Sequence, residues 1–377
     1  MNPILHLLWG DAAEAAALAG ACNAAAWQAI DRRAGQHRLR PMLHVRATAS
    51  AWPVPADLKR QWHDSYQRAA LRALRQKAAL ASIGKAFGRH GIAAAALKGG
   101  AFVWSGGLDP ALRPMRDLDL LIRPEDAARV VEVLAALGFA GTGQPHDQGA
   151  KHLPPLSNGT VTVEPHLHIF DTYDAAAAAS EAAFIARAWQ RAGPAGVPGL
   201  AALSPTDTLL HLILHAVLDH QFNNGPLLLA DMTALVETGQ VDWAILWEEA
   251  ERLDAVRACQ LALGVGQALA GLSVDWGRHK APDLGAAEIE RVARLMLVDM
   301  AYRSAVGWPG RLLRLSPAGW LGQIPKMLRR RQSRQEVAAR SSGNPALRDL
   351  MAFAVGDEGR GNIADAVSLA RWLKRKP

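Results

Sequence analysis

The change of pattern at Gly91 constrains this chain most. Before it, the residues read as helices. Ala12–Asp31 is helix-compatible, Pro53–Pro55 is a linker, and Ala56–His90 has apolar positions at helical spacing with Arg and Lys between them. After it, Ile92–Leu97 is a short apolar run ending in Lys98-Gly99-Gly100, a strand feeding a tight turn. Ala101–Ser105 opens a short helix, and Gly106–Pro114 is turn-rich loop. Leu118–Ile122, led by Asp117, forms a second strand that Arg123-Pro124 stops. Pro124-Glu125-Asp126 then puts proline and acid into the first turn of a helix that runs to Gly138. Val161–Glu164, bounded by Asn158-Gly159 and Pro165, makes a third strand.

From Ala175 to about Met300 the pattern is helical again, with helix openings at Ser204-Pro205-Thr206-Asp207 and Val241-Asp242-Trp243. The last segment holds short basic helices between Pro309, Pro317, Pro325 and Pro345. The expected fold is α+β and mostly helical, with a small mixed β-sheet core flanked by helices. At 377 residues the chain is too long for one ordinary core. The expected divisions are a helical region over 1–90, an α/β core over 91–172, a helical domain over 173–300 and a basic helical region over 301–377.

Cys22 and Cys259 lie far apart and make neither a disulfide framework nor a metal motif, so a reducing cytoplasm is expected. Asp11 and Glu14 interrupt the apolar N-terminal run, which does not read as a signal peptide. The longest apolar candidate for a membrane span, Ala255–Val274, is broken by Arg257, Gln260 and Gln267 and reads as a buried helix. The net charge of +7 is unevenly placed. From Ala301 onward 15 Lys/Arg face 5 Asp/Glu, so the first 300 residues carry 7 − 10 = −3.

The chemistry sits in Arg116-Asp117-Leu118-Asp119-Leu120-Leu121. Carboxylates at i and i+2 on a strand point to one face, while Leu118 and Leu120 point into the core. Two carboxylates held so close repel unless a cation lies between them, and hard divalent ions such as Mg²⁺ or Mn²⁺ take carboxylate oxygens while leaving positions for phosphate. Glu164, at the tip of Val161-Thr162-Val163, is the best-placed third carboxylate. Gly99 and Gly100, between a strand and a helix start, let the backbone approach an anion. Lys98, Arg113 and Arg116 add positive charge around a polyphosphate.

Leu97-Lys98-Gly99-Gly100 followed by Arg113-Pro114-Met115-Arg116-Asp117-Leu118-Asp119-Leu120-Leu121 resembles the uncharacterised bacterial nucleotidyltransferase family of the DNA polymerase β superfamily. Val161–His166, Leu209–His215 and Leu229-Ala230-Asp231 resemble its next strand and its helical part, so the likeness covers roughly Arg40–Leu272. Such families often lie beside genes for modified peptides, including lasso peptides. The resemblance implies that Asp117 and Asp119 bind the metals carrying a nucleoside triphosphate. It implies that Glu164 holds the metal activating the acceptor or serves as its base, and that Gly99 and Gly100 cradle phosphate. The expected reaction transfers a nucleoside monophosphate to a hydroxyl on a small molecule, peptide or protein. A protein of the same fold that binds nucleotide without turnover is the alternative.

Seven of the 13 histidines fall between His146 and His220. His166-x-His168 and His211-x-x-x-His215 have metal-ligand spacings, so with Asp219 or Asp231 a His-based hydrolase is a rival reading. Half-buried structural histidines are the favoured one, with His166, His215 and Asp231 kept as acceptor-side or structural residues. Lys326–Arg340, flanked by Trp308, Trp320 and Leu312-Leu313, is the densest positive stretch. It suits an acidic partner or an anionic membrane surface, and no RNA-recognition signature accompanies it, so nucleic acid is a minority reading.

Overall fold

A computed structural model describes residues 2–104, 108–141, 151–171, 175–300 and 357–374. His146 and the basic stretch Lys326–Arg340 with its flanking Trp308, Leu312, Leu313 and Trp320 lie outside the described residues.

Four helices come first: α1 (Pro3–Trp9), α2 (Ala12–Ala21), α3 (Ala24–Gln36) and α4 (Arg40–Ala49). The run expected as one helix over Ala12–Asp31 is split, because the Asn23 side chain accepts from the Ala26 amide and starts a new helix there. Next comes α5 (Ala56–Arg89), 34 residues long and so about 50 Å from end to end. Its first half buries Leu58 and Trp62 among the N-terminal helices, and its second half buries Leu80, Ile83 and Phe87 against the sheet. Asp31, buried among the first helices, accepts from Trp62 Nε1 at 2.8 Å and from the Arg40 guanidinium through two bonds of 2.8 Å.

The sheet is mixed and seven-stranded, from β1 (Ala94–Ala96), β2 (Leu118–Ile122), β3 (Ala140–Gly141), β4 (Leu156–Ser157), β5 (Thr162–His166), β6 (Gly193–Pro194) and β7 (Ala201–Ala202), in the order β3-β4-β5-β2-β1-β7-β6. The one-turn α6 (Gly99–Phe102) follows β1, and α7 (Ala127–Ala136) follows β2 and ends at Gly138, whose φ of +84° suits glycine. β2 is antiparallel to β1 and parallel to β5. The two-residue strands β3, β4, β6 and β7 fall where a loop or helix was expected, since so short a strand has no periodicity to read. β5 also runs on through Pro165, where the sequence suggested a stop. Pro165 keeps its carbonyl paired by accepting from the Leu153 amide at 2.8 Å.

The remaining helices are α8 (Ala175–Arg191), α9 (Pro205–Leu214), α10 (Leu227–Glu237), α11 (Trp243–Arg252), α12 (Val256–Ala270), α13 (Ala286–Met296) and α14 (Asp357–Lys374). Ser204 and Asp242 cap α9 and α11 as their sequences suggest. After α9 the chain continues as one wide π-helical turn, His215–Asp219. Arg294 holds α14 to α13 through two bonds to Asp365, and the Arg257 guanidinium stacks 3.6 Å from the Trp372 ring centroid. No helix among the described residues is long and apolar enough to cross a membrane.

Two apolar cores result. One lies between α5, α7 and the sheet face carrying Ala94, Ala96, Leu118, Leu120, Ile122 and Val163. The other joins α1–α4 to α9–α13 and reaches the opposite sheet face at Ala95, Leu97 and Leu121. All five residues of β2 are therefore buried.

One backbone contact locks α5 to the sheet edge. A Cβ on Gly84 would stand 2.2 Å from the Pro198 carbonyl oxygen, and the adjoining Gly199 takes φ +79°. Gly84→Ala is expected to lower the unfolding free energy by about 1–3 kcal/mol, the cost of overpacking a tight contact. The check is a lower urea midpoint at unchanged m-value.

Candidate functional site

The second face of the sheet assembles the site. In the parallel pairing of β2 with β5, Asp119 stands opposite Glu164 and Leu121 opposite His166. Residues two apart on a strand share a face, so Asp119, Glu164 and His166 all look toward the helices while Leu118, Leu120 and Val163 fill the other core. Asp119, Glu164 and His166 each offer a ligand atom within 4.8 Å of the others. Asp117, on the bend just before β2, is half-buried and outside that close set. It still acts on Glu164: burial first, then the charges of Asp117 and Asp119, push the Glu164 carboxyl upward.

Asp119 is 6% exposed, and burial would raise its carboxyl. The Lys98 ammonium and the His166 hydrogen bond outweigh burial and hold it well below the usual carboxylate range. Lys98 Nζ lies 2.7 Å from Asp119 Oδ1 and His166 Nε2 lies 2.8 Å from the same oxygen. Lys98 reaches this position from a strained backbone, with φ 51° and ψ −133°. A non-glycine residue held in such a region costs about 1–3 kcal/mol, which the surrounding structure must supply.

The other ring nitrogen of His166, Nδ1, is 3.2 Å from the His168 carbonyl oxygen. A neutral imidazole has one N–H and cannot donate to both acceptors. Burial, ahead of all other causes, pushes the His166 ring toward the neutral form. Without a metal, an N–H on Nε2 donates to Asp119 Oδ1; a bound cation would instead call for the proton on Nδ1, directed at the His168 carbonyl, with the Nε2 lone pair given to the ion. Metal-ligating histidines are oriented in this way by their second nitrogen. The donor set therefore fits a divalent cation, and its mixed imidazole and carboxylate character suits Mn²⁺ as well as or better than Mg²⁺. Just beyond, the chain leaving β5 is fixed by buried Glu181, which accepts from the Ile169 and Phe170 amides at 2.7 Å each.

The structure distributes the expected phosphate-side residues unevenly. Gly99 and Gly100 form the turn of α6 beside Lys98, and a Cβ on Gly99 would press on Met115 Sδ at 2.9 Å. Arg116 is exposed. Arg113 is committed elsewhere, making a two-bond ion pair with Asp231 of α10 at 2.6 and 2.8 Å. Burial opposes the charge on Arg113, but Asp231 more than compensates and raises its affinity for the proton. Asp231 is thereby a tie between the sheet layer and the helices.

Sequence reasoning missed two residues here. Arg38, in a left-handed conformation at φ 62°, donates to the Pro114 carbonyl at 2.7 Å and sits in the field of Arg113, Arg116 and Asp117. Burial, then the two arginines, pull it down to about 10. Lys151 donates to Asp219 at 2.7 Å and stands 3.5 Å from His215 Nδ1. Their partners, Pro114 and Asp219, lie 76 and 68 residues away, and a single sequence does not record such pairings, so neither was legible.

His215 also contacts Asp219, at 3.1 Å across the π turn, and its ring meets His211 and His220 at centroid distances of 6.0 and 4.4 Å. Neither His211 nor His215 belongs to a metal-capable group among the described residues. Burial, followed by repulsion from Lys98 and Lys151, drives both rings well below their ordinary pKa.

Two outcomes follow. Asp231→Ala would strand the Arg113 charge in the interior and is expected to cost about 3–5 kcal/mol of stability, read from urea unfolding. His211 and His215 bind fewer protons folded than unfolded, so the stability tied to them is complete above about pH 6.5 and is lost as pH falls below it. His211→Leu is expected to flatten the drop in urea midpoint between pH 7.5 and pH 5.5. An unchanged slope would remove His211 from this account.

Comparison with known proteins adds one finding. The family model described as uncharacterised nucleotidyltransferase matches residues 23–271, from the cap of α3 at Asn23 to the left-handed Gly271 that closes α12. No curated protein and no solved structure matches the chain. The matched span is well over half of the 377 residues and contains every residue of the site. The chain belongs to this family of uncharacterised nucleotidyltransferases.

Proposed function

We propose that the protein is a divalent-metal-dependent enzyme transferring a nucleoside monophosphate from a nucleoside triphosphate to a hydroxyl of a small molecule, peptide or protein. The observation that carries this reading is the facing pair Asp119–Glu164 with His166 beside it, on a strand pair of a chain in a nucleotidyltransferase family. The order of strand, Lys-Gly-Gly turn, Asp-x-Asp strand and Glu-tipped strand supports placing it with the DNA polymerase β type. We take 91–172 as the nucleotidyltransferase core and the helices of 173–300 as its partner layer.

Asp119, Glu164 and His166 would hold the metal, with Asp117 joining from the bend before β2. A divalent ion there supplies Lewis acidity toward phosphate oxygens and lowers the pKa of the acceptor hydroxyl. Glu164 serves either as a ligand of that ion or, left off the metal, as the base for the hydroxyl proton, a role favoured by the upward push of burial and its acidic neighbours on its carboxyl. The acceptor oxygen bonds to the α-phosphorus, the bond to the β-phosphate oxygen breaks, and pyrophosphate carries away the electron pair. Lys98 and the Gly99-Gly100 turn stand where they can meet that pyrophosphate, and Arg116 is free to approach it from the surface. Arg113 serves instead by holding the bend before β2 against α10.

Asp119→Asn keeps shape and removes the charge. Since even outer partners of metal sites cost about 10–100-fold, loss of Asp119 is expected to reduce transfer by more than about 100-fold. The assay follows label from α-labelled ATP, GTP, CTP and UTP into products of a host extract with Mn²⁺ or Mg²⁺. Transfer by the Asn variant at the wild-type rate would remove Asp119 from the reaction.

A further inference from the structure

Asp119 Oδ1 already faces a cation that belongs to the chain. Lys98 Nζ is 2.7 Å away, with only 19% of its side chain exposed. Burial disfavours the ammonium, yet the charges of Asp119, Asp117 and Glu164 together more than restore it. The lysine meets Asp119 at the oxygen that His166 also meets. It does so from a backbone conformation that a glycine would take without strain, immediately before two glycines. A side chain kept at a strained position, and set on a buried carboxylate, points to a role for the ammonium itself.

A divalent ion on Asp119 would meet this ammonium at a distance where like charges repel strongly in a buried site. Lys98 has a flexible four-carbon stem and a compact charge, so it can withdraw while staying attached to the same turn. A triphosphate arriving beside Gly99 and Gly100 gives the withdrawn ammonium a new anionic partner.

We propose that Lys98 is a tethered counterion sharing the cation position of Asp119, Glu164 and His166, so that metal and nucleoside triphosphate bind together, the triphosphate drawing Lys98 off Asp119 as the metal takes its place. This rests on the function proposed above. Its consequence is a coupling between two ligands, reciprocal by linkage: the nucleotide tightens the metal by the factor by which the metal tightens the nucleotide. Metal alone binds weakly, because it must displace a charge that the site already holds.

The test measures Mn²⁺ binding to the full chain by the loss of the free-ion electron-spin signal. It uses wild type, Lys98→Met and Lys98→Arg, with and without an analogue bearing methylene between the α and β phosphorus atoms. Lys98→Met is expected to bind Mn²⁺ alone at least about tenfold tighter than wild type, with Lys98→Arg close to wild type. The analogue with Mn²⁺ is expected to bind Lys98→Met at least about tenfold more weakly. Equal or weaker Mn²⁺ binding by Lys98→Met, or unchanged affinity for the analogue, would overturn the proposal while leaving the metal site standing. Absence of Mn²⁺ binding in all three proteins would overturn both the metal reading and the proposal. Should Lys98→Met not fold, wild type decides: Mn²⁺ and analogue together must raise Tm by more than their separate shifts combined, and additive shifts refute the coupling.

Discussion

The pairing of β2 with β5 is the constraint on which the site depends. Paired residues of these strands are 164 − 119 = 45 positions apart in sequence, the strands run parallel in space, and their register sets Asp119 opposite Glu164 and Leu121 opposite His166. A slip of one residue would turn every side chain of one strand to the other face. Leu118 and Leu120, or Val163, would then leave the apolar core beneath α5 and α7, and Asp119 or Glu164 would enter it. The hydrophobic core on one face thus enforces the acidic cluster on the other. The exit of β5, pinned by Glu181, keeps His166 in line.

Enclosure by helices then turns a cluster of acids into an electrostatic problem that nearby residues solve. Both faces of β2 are covered, so Asp119 cannot rely on water. Lys98 and His166 meet it on one oxygen, Arg113 is neutralised by Asp231, and Lys151 by Asp219. The same low-dielectric setting keeps His211 and His215 neutral, which makes them poor rivals for the acidic chemistry and good reporters of acid instability. Stability and function share these contacts. The Arg113–Asp231 tie braces the bend that carries Asp117, and the strained Lys98 holds charge where a ligand would bring its own.

Much of the site was legible before the structure. Strong local signals marked it: an apolar run closed by Lys-Gly-Gly, an Asp-x-Asp strand stopped by Arg-Pro, and a Glu-tipped strand after Asn-Gly. Each depends on residues within a few positions of one another, where strand periodicity and turn chemistry speak directly. The two-residue strands β3, β4, β6 and β7 were invisible, because they exist only as partners in a sheet. The partner of Arg113 was also invisible, since it lies 118 residues away. Arg113 was expected among phosphate ligands, and in the fold it holds Asp231.

The sequence by itself determined the strands at Ala94–Ala96, Leu118–Ile122 and the start of β5 among helices, and the concentration of positive charge beyond Ala301. Those are consequences of local periodicity and of composition, which no neighbour has to confirm. Tertiary structure alone decided which residues stand around Asp119. His166 joined Glu164 there because β5 runs on through Pro165, and Asp117 stayed on the bend because β2 starts at Leu118. It also decided that Lys98 lies on the carboxylate and Arg113 does not, because a buried charge takes the nearest opposite charge the packed chain offers, and nearness in space is what a sequence does not record.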